Sequence, residues 1–220
     1  MPNLDIIFED DHLLVVNKPA GLLSVPGRTE PYCLQAQAIA YNANIRVVHR
    51  LDMATSGIII FAKSHAAQKG MGQLFEQRQI HKSYHAIVQG QPKTASGEVD
   101  LPLICDWPNR PKQKVCFETG KNAKTRYRVA ANCAKNNAAL LHLSPVTGRS
   151  HQLRVHCLAL GHPILGDKLY NLQGSHLRAE RLLLHAAEIS FHHPITQAPL
   201  HLQHGSGFET LINSISVSTQ

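Results

Sequence analysis

Short apolar runs bounded by turn-forming residues dominate the pattern along this chain. LDIIF at 4–8, LLVVN at 13–17, IIIFA at 58–62, YHAIV at 84–88, ALLHLS at 139–144 and LLLHAAEIS at 182–190 read as strands. Helical periods are fewer. Pro31 to Ala43 fits one helix, Ser64 can cap a second that runs to about Gln79, and Ser150 can cap a third through Leu160 that stops at Gly161. Strands outnumber helices and do not alternate with them, so the pattern predicts an α+β fold. Its expected centre is a mixed, mostly antiparallel β-sheet flanked by helices and loops. No repeat, low-complexity linker or composition break appears, and Gly90 to Gly97 reads as a loop, so residues 1–220 are expected to form a single domain.

Charge changes this picture. The 220 residues carry 22 Lys and Arg against 15 Asp and Glu, a net charge of +7 with histidine neutral. The excess is concentrated: Arg110, Lys112, Lys114, Lys121, Lys124, Arg126 and Arg128 accompany one acid, Glu118. That stretch is either a solvated strand-and-loop surface or a track for a polyanion. Every apolar run is far short of the ~20 residues that span a bilayer, so no membrane association is expected. The acidic start MPNLDIIFEDD lacks the basic region of an export signal. The five cysteines are odd in number and form no Cys-x-x-Cys, which disfavours a disulfide framework and predicts reduced thiols in a cytoplasmic protein.

Two segments hold candidate chemistry. His49-Arg50-Leu51-Asp52-Met53-Ala54-Thr55-Ser56-Gly57 places a carboxylate beside a cation and before a small-residue turn, at the entrance to an apolar strand. Asp52 there either caps backbone amides or stands exposed as a reactive group. Gly148-Arg149-Ser150-His151-Gln152-Leu153-Arg154-Val155-His156 opens the third predicted helix, whose start would attract anions. The spacing of His151 and His156 does not align two ligands on one helix face, and neither His-Glu-x-x-His nor a Cys/His quartet occurs, so no metal is expected.

Together the two segments resemble motifs of the RluA family of RNA pseudouridine synthases. Supporting matches follow in family order: Asn17-Lys18-Pro19 with Gly21, Lys82-Ser83-Tyr84, the 148–156 run, Gly166-Asp167, and Arg181-Leu182-Leu183-Leu184-His185-Ala186. They cover roughly Asp5 to Ser190. Leu22 to Arg28 and Leu101 to Cys116 resemble those members of the family that modify both tRNA and ribosomal RNA. The resemblance implies the pseudouridine synthase fold and an isomerase that needs no cofactor.

The resemblance also implies roles. Asp52 matches the catalytic aspartate, acting as nucleophile or base while the glycosidic bond of uridine is broken and ribose is rejoined to C5. Arg154 matches the cation paired with that aspartate, and Tyr84 the tyrosine that packs on the target base and assists proton removal. Arg50 matches the residue that fills the gap left by the flipped nucleotide. His49, Arg149 and His151, together with Arg110, Lys112, Lys114, Lys124, Arg126 and Arg128, are expected to contact RNA. Because family-like sequence begins by residue 5, RNA affinity is expected to reside in the catalytic domain itself. The implied partners are tRNA, at a uridine of the anticodon loop, and 23S ribosomal RNA, at a hairpin uridine; no obligatory protein partner is expected and the protein is expected to act as a monomer. Alternatives are a synthase for a different ribosomal RNA uridine, a non-catalytic RNA-binding protein on the same scaffold, and a metal-dependent hydrolase using the chain's histidines.

Overall fold

The structure, a computed structural model, describes residues 4–172 and 174–215. The strands are β1 (Ile6–Glu9), β2 (Leu13–Lys18), β3 (Arg46–Val47), β4 (Ser56–Ala62), β5 (His81–Gln89) and β6 (Ser96–Asp100). They continue as β7 (Leu103–Cys105), β8 (Gln113–Val115), β9 (Lys124–Cys133), β10 (Ala138–Pro145), β11 (Leu184–His192) and β12 (Pro199–Gln203). The helices are α1 (Leu34–Tyr41), α2 (His65–Glu76), α3 (Gln152–Ala159) and α4 (Phe208–Leu211). Two compact units form, Met1–Lys82 with His185–Gly205 and Ser83–Leu184 with Ser206–Gln220.

In the first unit β4 is the central strand. All seven of its residues are buried, which is why its sequence is a continuous apolar run and not an alternating one. β2 pairs with it antiparallel along one edge. The other edge is shared by β3, antiparallel, and β11, parallel through His185↔Ser56 and Ala186↔Gly57. Gly57 sits at φ +113°, and a Cβ there would lie 2.3 Å from the Ala186 carbonyl oxygen, so the parallel approach of β11 demands glycine. Beside it the buried Ser56 Oγ and His185 Nδ1 are hydrogen-bonded at 2.8 Å. Leu13, Val15, Ile58, Ile60, Ile189 and Phe191 pack with Ala67 and Met71 of α2. Each large side chain buried this way contributes roughly 1.5–3 kcal/mol.

In the second unit β5, β10, β9 and β6 pair antiparallel in that order, and β7 and β8 form a separate hairpin. α3 rests on a small core of Leu103, Ala123, Val155 and Tyr170. The expected α+β class and mostly antiparallel pairing are therefore found, as are all six strands expected from apolar runs.

The structure corrects the helix ends. α1 is shorter than expected because Cys33 is extended and caps it, its sulfur accepting from the Ala36 amide. Ser64 caps α2 as expected, through the Ala67 amide at 3.1 Å. Ser150 does not cap α3; His151 stands at that position with a left-handed φ of 55°. No side chain caps the first turn of α3; Gln152, its first residue, instead reaches back to the preceding loop, its Oε1 accepting from the Arg149 amide at 3.0 Å and the Thr147 hydroxyl at 2.7 Å.

Candidate active site

Asp52 lies half-buried in the loop between β3 and β4, and the loop is fixed on both sides of it by backbone bonds. On one side Ser24 clamps Leu51, its hydroxyl donating to the Leu51 carbonyl at 2.7 Å and accepting from the Leu51 amide at 3.1 Å. On the other side the Met53 carbonyl accepts from the Gly21 amide at 2.8 Å and from Lys18 Nζ at 3.0 Å. The Asp52 carbonyl closes the turn by accepting from the Thr55 amide at 3.1 Å. The carboxylate thus projects from a backbone held at residues 51, 52 and 53, an arrangement that limits the reorganisation a reacting group needs.

Lys18 is the keystone of this loop. Its side chain is fully buried, and its ammonium donates to three carbonyls, Pro19 at 2.9 Å, Leu22 at 2.7 Å and Met53 at 3.0 Å. Burial pushes its pKa from 10.5 down to about 8, while the negative charge of Asp52 partly offsets that loss. Lys18→Met keeps the length of the stem, orphans the Pro19 and Leu22 carbonyls and leaves Met53 with the Gly21 amide alone, so a loss of roughly 2–4 kcal/mol is expected. The pH dependence has a definite sign. Between pH 8 and 10.5 the unfolded chain binds the extra proton, so the contribution of Lys18 to stability rises with pH across that window. Denaturant unfolding of wild type and Lys18→Met should diverge in slope there; parallel curves would show that Lys18 is not buried as a charge.

Two neighbours of Asp52 differ sharply. Arg50 is exposed. His49 turns into the first unit: its Nε2 accepts the Ile60 amide at 2.9 Å and its ring meets Phe75 at 5.0 Å between centroids. Burial, with the positive charge of Lys82, pushes its pKa down to about 3. A neutral imidazole already bound to a backbone amide fixes β4 and offers no charge to a phosphate.

In the second unit Tyr84 lies half-buried on β5, opposite Leu143 of β10. Arg154, 5% exposed, forms a bidentate pair with Asp167, Nε and Nη2 each donating at 2.7 Å. Asp167 accepts two further bonds, from the Leu169 amide at 2.9 Å and the Tyr170 amide at 3.0 Å. The glycine before it has φ +77°, and a Cβ there would stand 1.8 Å from the Arg181 carbonyl oxygen. Gly166 therefore admits the chain 181–184 and lets Asp167 reach Arg154. Asp167 was visible in the sequence only as a motif match; its role as the anchor of Arg154 is a tertiary fact.

Tyr170 extends this network. Its ring lies under Arg154 at 5.0 Å, its hydroxyl accepts from the Gln113 amide at 2.6 Å, and it meets His151 Nδ1 at 2.7 Å. Among the other residues of the 148–156 run, Arg149 is exposed, with Nε on the Asn122 carbonyl at 3.0 Å. His156 is buried and structural, donating from Nε2 to the Leu101 carbonyl at 3.1 Å and accepting the Thr125 hydroxyl at 2.9 Å.

The basic stretch is less positive in space than in sequence. β6 lies beside β9 with Glu98 opposite Arg126 and Asp100 opposite Lys124. Lys124 Nζ meets Glu98 at 2.7 Å and Asp100 at 2.9 Å, and Arg126 Nε meets Glu98 at 3.2 Å. Arg128 instead donates to His142 Nδ1 at 2.9 Å. At the β7–β8 hairpin Lys114 pairs with Asp106 at 3.3 Å, Arg110 is exposed and Lys112 half-exposed. The acids that neutralise Lys124 and Arg126 lie more than twenty residues upstream, so a local charge count could not include them.

Among the described residues, His85, His142 and Glu209 are the group whose ligand atoms cluster, all within 4.8 Å. The two imidazoles are stacked at 4.3 Å with planes 6° apart, which points their lone pairs side by side instead of at a common centre. Each ring also spends its Nδ1 on a hydrogen bond, His85 with Ser206 at 3.0 Å and His142 with Arg128 at 2.9 Å, while His85 Nε2 is buried without a hydrogen-bond partner among the described residues. The cluster is a hydrogen-bonded packing group. No helix among the described residues is long and apolar enough to cross a membrane.

Comparison with known proteins agrees with the motifs. The profile of a family described as RNA pseudouridylate synthase matches residues 12–159. The dual-specificity RNA pseudouridine synthase RluA of Escherichia coli (strain K12) is 54% identical over 195 residues, covering 88% of this chain and 89% of the relative. The protein of the same name from Vibrio parahaemolyticus is 51% identical over 198 residues, covering 88% and 79%. Among solved structures, human RNA Pseudouridylate Synthase Domain Containing 1 superposes with a TM-score of 0.82 at 26% identity, covering 100% of this chain and 91% of that one.

Proposed function

Since the chain belongs to the RNA pseudouridylate synthase family, we propose that it converts uridine to pseudouridine in two RNAs, at the anticodon loop of tRNA and at a hairpin of 23S ribosomal RNA. Isomerisation of uridine in RNA follows from the family; the pair of substrates rests on relatives at 51–54% identity that bear the dual-specificity name. The observation that carries the reading is the Asp52 loop, whose motif residues Lys18, Gly21 and Ser24 are spent on holding the backbone at 51 and 53.

In this reading Asp52 acts at the target nucleoside as nucleophile or base, and Arg154 supplies the counter-charge that keeps it ionised. Tyr84 presents its ring to the base and its hydroxyl to the C5 proton. Arg50 stacks in the gap left by the flipped nucleotide. The atoms of substrate and product are the same, so the net reaction consumes no oxidant, reductant or phosphoryl donor. The whole chain acts as one catalytic module, as a cytoplasmic monomer without an obligatory protein partner. Incubating the purified protein with tRNA and with 23S ribosomal RNA fragments, then mapping pseudouridine by chemical modification and mass spectrometry, tests the assignment. Modification of one RNA alone would remove the dual specificity; modification of neither would remove the function.

RNA affinity in this reading comes from cations not already spent on carboxylates. Removing one phosphate contact lowers the slope of log K against log salt by about 0.7–0.9. Lys112→Gln and Arg149→Gln are therefore expected each to flatten the slope by that amount. Lys124→Gln with Arg126→Gln should leave it nearly unchanged, because Glu98 and Asp100 already neutralise those residues. Filter binding over a salt series reads the difference, and equal effects of both sets would return the whole stretch to a phosphate track.

A further inference from the structure

Trp107 is the chain's one tryptophan, and 67% of its surface is exposed. It stands in a single 3-10 turn, Trp107–Asn109, at the tip of the β7–β8 hairpin. The tip is held firmly: the Asp106 amide donates to the Lys112 carbonyl at 2.9 Å, the Lys112 amide to the Asn109 carbonyl at 3.0 Å, and Asn109 Nδ2 to Asp106 Oδ2 at 2.8 Å. The returning strand is fixed by the bond from the Gln113 amide to Tyr170. The indole is thus displayed on an ordered backbone.

Its surroundings select a ligand chemistry. The Arg110 guanidinium carbon lies 4.0 Å from the indole centroid, stacked on one face. Among the described residues Trp107 is the exposed aromatic side chain carrying such a stacked cation. Lys112 and Lys114 follow within the same hairpin. A rigid aromatic face capped on one side by a guanidinium and bordered by ammonium groups complements a flat ring attached to an anionic backbone. An apolar peptide would use the indole but gain nothing from the cations. A paired duplex would use the cations but offer the indole no open base face.

We propose that Trp107, clamped by Arg110, is a stacking platform for an unpaired base of the RNA substrate, separate from the uridine that reacts. This rests on the reading of the protein as an enzyme acting on RNA. It also revises Arg110: its guanidinium orients the indole and closes a cation–indole–base stack, in addition to any phosphate it meets.

The chain's single tryptophan makes the test direct. The full-length protein is titrated with a stem–loop RNA carrying the tRNA anticodon sequence and, separately, with a blunt duplex of equal length; Trp emission and the anisotropy of a label on the RNA are read together. The stem–loop is expected to quench the emission as it binds, and the duplex to bind without comparable quenching. Trp107→Ala should weaken stem–loop binding by roughly 5- to 150-fold, the range of one lost base stack, and Trp107→Phe should retain most of the affinity. An exposed side chain can be truncated without unfolding, which thermal melting of both variants checks. Binding with unchanged Trp emission, equal quenching by duplex and stem–loop, or wild-type affinity in Trp107→Ala each overturns the platform. If the stem–loop is bound and converted to pseudouridine while Trp107 stays silent, this inference alone fails; if it is neither bound nor converted, the proposed function fails with it.

Discussion

Asp52→Asn is expected to lower pseudouridine formation by about 10⁴-fold or more, the scale of losing a reacting carboxylate from an otherwise intact site. Folding should be spared, because the loop is held through backbone groups of residues 51, 52 and 53 and asparagine has nearly the same shape. Binding of stem–loop RNA should stay near wild type for the same reason. Single-turnover assays with excess enzyme separate the two quantities: the expected result is a normal fraction of RNA bound and almost none converted. Near-normal conversion by a folded Asn variant would move the reacting role to another group.

The largest effect on stability is expected at the buried pair of Arg154 and Asp167. Arg154→Ala leaves Asp167, with 1% of its surface exposed, without its counter-ion, and breaking a buried pair from one side costs about 3–5 kcal/mol. Asp167→Ala should cost as much or more, since it removes the bidentate partner of the buried guanidinium and also orphans the amides of Leu169 and Tyr170. In a chain of this size that corresponds to a melting point lower by roughly 6–20 °C. The double variant Arg154→Leu with Asp167→Leu should recover much of the loss, because no buried charge remains. Simple additivity of the two single losses in the double variant would mean that the pair is not coupled. The same series bears on chemistry. At a temperature where both single variants are folded, Arg154→Ala should lose more turnover than Asp167→Ala if Arg154 is itself the counter-charge of the reacting carboxylate.

Four of the six strands expected from apolar runs share one cause. β2, β4, β10 and β11 lie in the middle of their pairings and are covered on both sides, so burial forces continuous apolar runs that are readable one residue at a time. β6, β8, β9 and β12 keep polar or charged residues on an open face, and only their pairing partners make them strands. The Ser150 cap failed for a related reason. His151 takes the position before the helix with a left-handed backbone and no side-chain cap, because Gln152 is held in place by its contacts with Thr147 and with β9.

The order and spacing of the motifs alone determined the family, the reaction class and the prominence of Asp52, because reacting groups are recognised by residue type at a given place in the chain. Tertiary structure decided what the remaining motif residues do. Lys18 and Ser24 grip a loop some thirty residues away, Gly57 and Gly166 admit neighbouring backbone, Asp167 anchors Arg154, and His49 secures β4 instead of facing a phosphate. It also decided the electrostatics: Glu98 and Asp100 cancel part of a basic run whose local sequence contains one acid. Hydrogen bonds and ion pairs depend on distance in space, and in a sheet with long connections that distance is unrelated to separation along the chain.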